Sequence, residues 1–183
     1  GLNMEYSKCD IKQHNLQDIA ELIYKTEPDF TQLLFSKNKS KAISNIIKLI
    51  KNKNNTFSSK NIYLYTNSKK VIGILIGYGG DEINKEKEKN AISETLSLFA
   101  SMRLSIYDKL LVNRLLTTEI KQDDFYISVL NVDEKYRRKG IGKNLISNAI
   151  KIARDKNCSK IILDVSKDNE DAIKFYKKVG FKI

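Results

Sequence analysis

A chain of 183 residues with 41% apolar side chains is long enough for one domain with a proper core and short for two. Its formal charge of +11 raises nucleic-acid binding as a class, yet lysine is scattered among asparagine and isoleucine, and only Tyr136 to Lys139 concentrates charge at a structured junction. With no base-reading motif, and no apolar run near the roughly 20 residues that span a bilayer, neither a nucleic-acid nor a membrane partner is expected.

Gly1-Leu2-Asn3 ahead of Met4 reads as a cloning remnant, and no basic-then-apolar leader runs through Asp10, so a soluble cytoplasmic protein is expected. A first strand near Glu5 to Cys9 leads into a helix, where Asn15 and Asp18 form a capping pattern and Ile19, Ala20, Leu22 and Ile23 share a face. His14, the single histidine, falls at the start of that region and is read as a surface or capping residue. Phe30, Leu33, Leu34 and Phe35 form an apolar patch, read as core packing. Ser40 to Lys51 repeats the helical period with Ile43, Ile46, Ile47 and Ile50 on one side, and the polar stretch Asn52 to Lys60 closes it.

Asn61 to Thr66 and Val71 to Tyr78 are β-branched and aromatic and flank Asn67-Ser68-Lys69, the pattern of an antiparallel hairpin ending at Gly79-Gly80. Residues 81–124 are read as a helical insertion between the third and fourth strands. In it a charged run, Asp81 to Lys89, precedes a helix from Ala91 to Leu116, with Leu96, Phe99, Ala100, Leu104 and Ile106 as core candidates. It carries nine acidic against seven basic residues, making it the least basic region and a candidate source of negative potential for a cationic acceptor.

Phe125 to Val132 then reads as a strand, Ile141 to Ala153 as a helix, Lys160 to Val165 as a strand, and Glu170 to Lys178 as a helix stopped by Gly180. That βαβα order favours parallel pairing, and without a repeat or a linker residues 1–183 form a single domain of the mixed α/β class. Cys9 and Cys158 stand far apart in neither a CxxC nor a Cys/His spacing, so reduced, half-buried thiols are expected, with no metal.

The stretch Asn131-Val132-Asp133-Glu134-Lys135-Tyr136-Arg137-Arg138-Lys139-Gly140-Ile141-Gly142-Lys143 empties a strand through a glycine-containing turn into a helix. First-turn N–H groups have no partner within the helix and its dipole adds positive potential, so a phosphate or pyrophosphate is their natural ligand. Gly140 and Gly142 are read as letting the phosphates approach the backbone. No GxxxxGK[ST] sequence is present, and the GxG lacks the third glycine of a dinucleotide fingerprint, so ATPase and dehydrogenase readings fall.

These residues resemble the GNAT superfamily of N-acetyltransferases. Leu130-Asn131-Val132 followed by Arg137-Arg138-Lys139-Gly140-Ile141-Gly142 is similar to the family's coenzyme A motif, [QR]xxGx[GA]. Asn169, Ala172, Tyr176 and Gly180-Phe181 match its second signature, at the family spacing. The detailed likeness covers Phe125 to Ile183.

The resemblance implies a GNAT fold, a central mixed twisted sheet with helices on both faces, and acetyl-coenzyme A as the acyl donor. Backbone groups of Leu130 and Val132, with Asn131 between them, would hold the pantetheine arm. N–H groups from Arg138 through Gly140, Ile141 and Gly142 to Lys143 would take the pyrophosphate, with Arg137, Arg138, Lys139 and Lys143 adding charge. Asn169 would hydrogen-bond the cofactor, and Tyr176 would protonate the departing thiolate after direct attack by a primary amine of a small molecule or protein. Some relatives carry a carboxylate where this chain has Tyr126, so a water chain toward Asp124 or Glu94 is the expected route for the amine proton. The other implied function is a regulatory module that binds acyl-coenzyme A with little transfer. The family usually continues past Gly-Phe into a final strand, so a homodimer completing the sheet is also an expectation.

Overall fold

In the computed structural model, residues 3–26, 36–95 and 119–183 are described. The apolar patch of Phe30, Leu33, Leu34 and Phe35, and the core candidates Leu96, Phe99, Ala100, Leu104 and Ile106, lie outside the described residues.

Five runs rich in β-branched and aromatic residues build one sheet: β1 (Met4–Lys8), β2 (Ile62–Asn67), β3 (Lys70–Gly79), β4 (Asp124–Val132) and β5 (Lys160–Leu163), in that spatial order. The first four are antiparallel and β5 runs parallel to β4, as the βαβ connection requires. The helices are α1 (Leu16–Thr26), α2 (Lys39–Lys51), α3 (Lys85–Thr95), α4 (Ile141–Asp155) and α5 (Glu170–Lys178).

Strand alternation divides the interior into two cores. Ile62, Leu64, Ile74, Ile76 and Tyr126 face the buried stripes of α1 and α2. Tyr63, Leu75, Phe125 and Ile127 face Ile141, Leu145 and Ala149 of α4, with Phe175 and Tyr176 of α5 packed beside them. Helices therefore cover both faces, as expected for the mixed α/β fold.

Two irregularities break the alternation. Between Tyr65 and Thr66 of β2 the register skips Ile72 of β3, and between Ile76 and Gly77 of β3 it skips Ser128 of β4. The second bulge re-aims the end of β4, the strand segment that matters below.

Among the described residues the expected elements appear with differences at their ends. The charged run does not precede its helix but enters it: α3 begins at Lys85, because Asn84 Oδ1 accepts the Lys87 N–H at 3.0 Å and caps a run of strong helix formers. Glu88 of that run is buried, its carboxylate accepting the N–H and the hydroxyl of Thr56, both at 2.8 Å. β5 stops at Leu163 rather than Val165, since its pairing with β4 ends at Ile127. The thiols of Cys9 and Cys158 are free and half-buried. Asn15 caps α1 through the Gln17 N–H at 2.9 Å, and His14 Nδ1 accepts the Asp10 N–H at 2.9 Å, a turn-closing role. Among the described residues no helix is long and apolar enough to cross a membrane.

Candidate functional site

β4 runs five residues beyond its last pair with β5, and among the described residues no strand covers Ser128 to Val132 on that side. A wedge therefore opens between the two strands. Which backbone groups face it follows from the ladder with β3. The Asp133 N–H donates to Ile72 O at 2.8 Å, so in this register Asn131 pairs toward Ile74 of β3, while Leu130 and Val132 present their N–H and C=O groups to the open edge. An extended amide chain laid in the wedge would find there the N–H and C=O of Leu130 and the N–H of Val132, whose carbonyl already accepts from Arg137 Nε at 3.0 Å.

At the mouth of the wedge the chain turns into α4. Asp133 caps a single tight turn at 134–136 by accepting the Lys135 N–H at 3.0 Å, and Lys70 stands 3.3 Å from its carboxylate. Burial works to raise the Asp133 pKa, but the Lys135 N–H and the Lys70 ammonium outweigh it and hold the group below the ordinary aspartate value. Arg138 at φ 61° and Gly140 at φ 81° are both left-handed, the alternation that gathers successive N–H groups into a concave nest.

Gly140 is the N-cap of α4 and makes no side-chain cap. Asn144 is the first residue whose N–H closes onto the helix, at 2.9 Å from Gly140 O, which leaves the N–H groups of Ile141, Gly142 and Lys143 directed out of the helix end. Arg138, Lys139 and Lys143 are exposed around them. Three uncapped donors, a helix dipole and three cations suit a diphosphate.

The two glycines act differently. A β-carbon on Gly140 would meet nothing within 4 Å, so this residue is required for its backbone angle. A β-carbon on Gly142 would stand 3.2 Å from Phe175 Cζ, so this residue lets α5 pack against the first turn of α4. The sequence pattern had suggested one purpose for both.

Asn131 and Arg137 are tied to the protein itself. Arg137 Nε donates to Val132 O at 3.0 Å and its Nη2 to Asn131 Oδ1 at 3.4 Å, while Asn131 Nδ2 donates to Leu22 O at 2.9 Å. The asparagine thus joins α1 to the end of β4, its backbone paired toward β3. Asn169 caps α5 by accepting the Ala172 N–H at 3.1 Å, which leaves its exposed amide nitrogen for a ligand.

Tyr176 of α5 lies edge-on between Phe175, with ring centroids 5.3 Å apart, and Phe181 at 5.6 Å. Burial raises its phenol above the ordinary tyrosine value of 10.0, so the hydroxyl keeps its proton throughout the neutral range. Asp124 is 1% exposed at the start of β4, its Oδ2 accepting the Lys121 N–H at 2.9 Å, and Glu94 is exposed on α3.

Tyr126 donates its hydroxyl to Asp164 Oδ2 at 2.8 Å, at the point where β5 leaves β4. Sequence reading missed Asp164. Its signal was topological, because the parallel register sets Ile162 beside Tyr126 and brings the residue two positions on, on the same face, to the apex of the wedge.

Comparison with known proteins agrees with this geometry. The acetyltransferase (GNAT) family model matches residues 59–181. N-alpha-acetyltransferase 30 of Xenopus laevis is 43% identical over 56 residues, 31% of this chain and 20% of that protein. Glucosamine 6-phosphate N-acetyltransferase of Trypanosoma brucei brucei is 44% identical over 57 residues, 31% of this chain and 37% of that protein. The similarity thus spans well under half the length of these relatives. Among solved structures, an N-acetyltransferase from Staphylococcus aureus Mu50 superposes with a TM-score of 0.72 at 27% identity, covering 97% of this chain and 90% of that one. An aminoglycoside N-acetyltransferase in complex with CoA shares the fold at a TM-score of 0.61 and 11% identity.

Proposed function

Since this chain belongs to the acetyltransferase (GNAT) family, we propose that it transfers the acetyl group of acetyl-coenzyme A to a primary amine. The observation that carries this reading is the open edge of Leu130 and Val132 leading into the uncapped first turn of α4. An amide-bearing arm ending in a diphosphate is the ligand whose two chemistries match those two donor sets in that order. The left-handed Gly140 and the exposed Arg138, Lys139 and Lys143 around it suit the charge of such a group.

In this mechanism the N–H groups of Ile141, Gly142 and Lys143 hold the diphosphate. The Leu130 and Val132 edge aligns the arm and offers an N–H to the oxygen on which negative charge develops during direct attack. Tyr176, kept protonated by its burial, donates a proton to the leaving sulfur. Arg137 and Asn131 act on the site by bracing the end of β4. Asn169 sets the start of α5 and so the position of Tyr176. The similar identities to an N-alpha-acetyltransferase and to a glucosamine 6-phosphate N-acetyltransferase, whose names give different acceptors, support acetyl donation as the chemistry common to both.

Calorimetric titration with acetyl-coenzyme A tests the reading, using Lys143→Glu beside the unaltered chain. Glutamate in the first turn favours the α4 dipole, so the fold is retained, while its charge opposes the diphosphate. The expected result is binding in the micromolar range, weakened about tenfold or more in the variant. Failure of the unaltered, folded chain to bind would sink the proposal.

A further inference from the structure

Resting on the acetyl-transfer reading, we propose that Asn67 and Lys70, at the end of the β2–β3 hairpin, are positioning residues for the cofactor's diphosphate, acting through Asp133 and Tyr136 of the turn that precedes α4. The two are Cα partners across the hairpin, on either side of Ser68, whose φ of 57° helps close it. Lys70 Nζ lies 3.3 Å from Asp133 Oδ2, and Asn67 Nδ2 donates to the Tyr136 hydroxyl, 69 residues away in sequence, at 3.3 Å. One hairpin end therefore grips the diphosphate turn at two points, its first residue and the end of the tight turn at 134–136.

The turn needs such support because its own bonds stop short of the residues that would meet the ligand. Within it the Tyr136 N–H donates to Asp133 O at 2.8 Å and the Arg137 N–H to Glu134 O at 3.4 Å, and past Arg137 the chain is next closed by the Asn144 N–H on Gly140 O. Between those bonds Arg138 holds φ 61°, a left-handed angle that a non-glycine residue keeps only where the surrounding structure fixes the chain on both sides. On one side α4 fixes it. On the other, the Asp133 N–H makes the last bond to β3, at 2.8 Å to Ile72 O, and Arg137 Nε holds Val132 O. The hairpin contacts at Asp133 and Tyr136 complete that side, with the Tyr136 ring packed against the α4 core. The bond to Asp133 raises the Lys70 ammonium above its ordinary value, and Asp133 lies below its own, so both groups stay charged through the neutral range. The direction of the donors that hold the diphosphate is thus set in part by a hairpin that does not touch it.

Calorimetry with acetyl-coenzyme A on Lys70→Met, Tyr136→Phe and the double variant tests the assignment. Each single change deletes one exposed or half-buried contact, so the dissociation constant should rise about two- to threefold, and about five- to tenfold in the double variant. Lys70→Arg keeps a cation for Asp133 and should bind as the unaltered protein does. Lys156→Met deletes a comparable ion pair, 2.6 Å to Glu82 beyond the opposite end of β3, and should leave the affinity unchanged. Phosphorus NMR of the bound cofactor gives a readout that general loss of stability does not move. In the double variant the diphosphate resonances should shift or broaden while that of the ribose phosphate stays in place. Unchanged affinity in the double variant, an equal loss in Lys156→Met, a Lys70→Arg variant as weak as Lys70→Met, or unmoved diphosphate resonances would each overturn the assignment. Failure of the folded, unaltered protein to bind acetyl-coenzyme A would instead overturn the acetyl-transfer reading itself, a result distinct from the others.

Discussion

The ring of Phe175 in α5 packs so closely on Gly142 in α4 that a β-carbon there would lie 3.2 Å from its Cζ. Alanine at position 142 gains up to about 1 kcal/mol of helix propensity and loses about 1 to 3 kcal/mol to overpacking, so it is expected to destabilise the protein. Phe175→Leu should relieve part of that cost. Urea unfolding of the two single variants and the double variant is expected to show coupling, whereas Gly140→Ala with Phe175→Leu should be additive, because Gly140 meets no neighbour. Gly140→Ala alone should cost about 1 to 2 kcal/mol from its left-handed backbone. Additivity for the 142–175 pair would contradict the contact.

Asn131→Ala removes the donor to Leu22 O and the acceptor for Arg137, both partly buried or exposed rather than deep in the core. The expected loss is about 1 kcal/mol in chemical unfolding, since the Leu22 carbonyl keeps the Thr26 hydroxyl at 2.8 Å. Affinity for acetyl-coenzyme A should fall only a few-fold, about what bracing the end of β4 contributes. A hundred-fold fall would mean that Asn131 touches the ligand directly.

Tyr176→Phe keeps the ring contacts with Phe175 and Phe181 and deletes the acid. Under the proposed mechanism, kcat should drop about a hundred-fold, with little change in acetyl-coenzyme A affinity measured by calorimetry. Burial raises the phenol above 10.0, so the protonated, active form persists as pH rises through neutrality and is lost only on the alkaline side of 10. In a pH profile of kcat the descending limb assigned to this group should therefore lie above pH 10. A limb near pH 8 that disappears in the phenylalanine variant would place a different acid–base environment around Tyr176.

Much of the architecture was legible because it rests on local, repetitive physics. β-branched and aromatic composition marked β2 and β3, the spacing of Ile43, Ile46 and Ile50 marked α2, and Gly180 at φ 108° ended the last helix as its composition implied. The start of α3 was misread because the charged run Asp81 to Lys89 was set ahead of the helix, and burial of Glu88 against Thr56, 32 residues away in the chain, leaves no local trace.

The amino-acid order by itself determined the strand–turn–helix of Val132 to Lys143 and the Glu170–Lys178 helix with its Asn169 cap, because backbone donors, caps and glycine angles are properties of neighbouring residues. Only the tertiary structure decided which groups face a ligand. The bulge at Ser128, the end of β4–β5 pairing at Ile127 and Leu163, the contact of Gly142 with Phe175, and the bond between Tyr126 and Asp164 all join residues distant in sequence. Such pairings are set by the register and splay of the sheet, which minimise the energy of the whole core and are encoded at no single position.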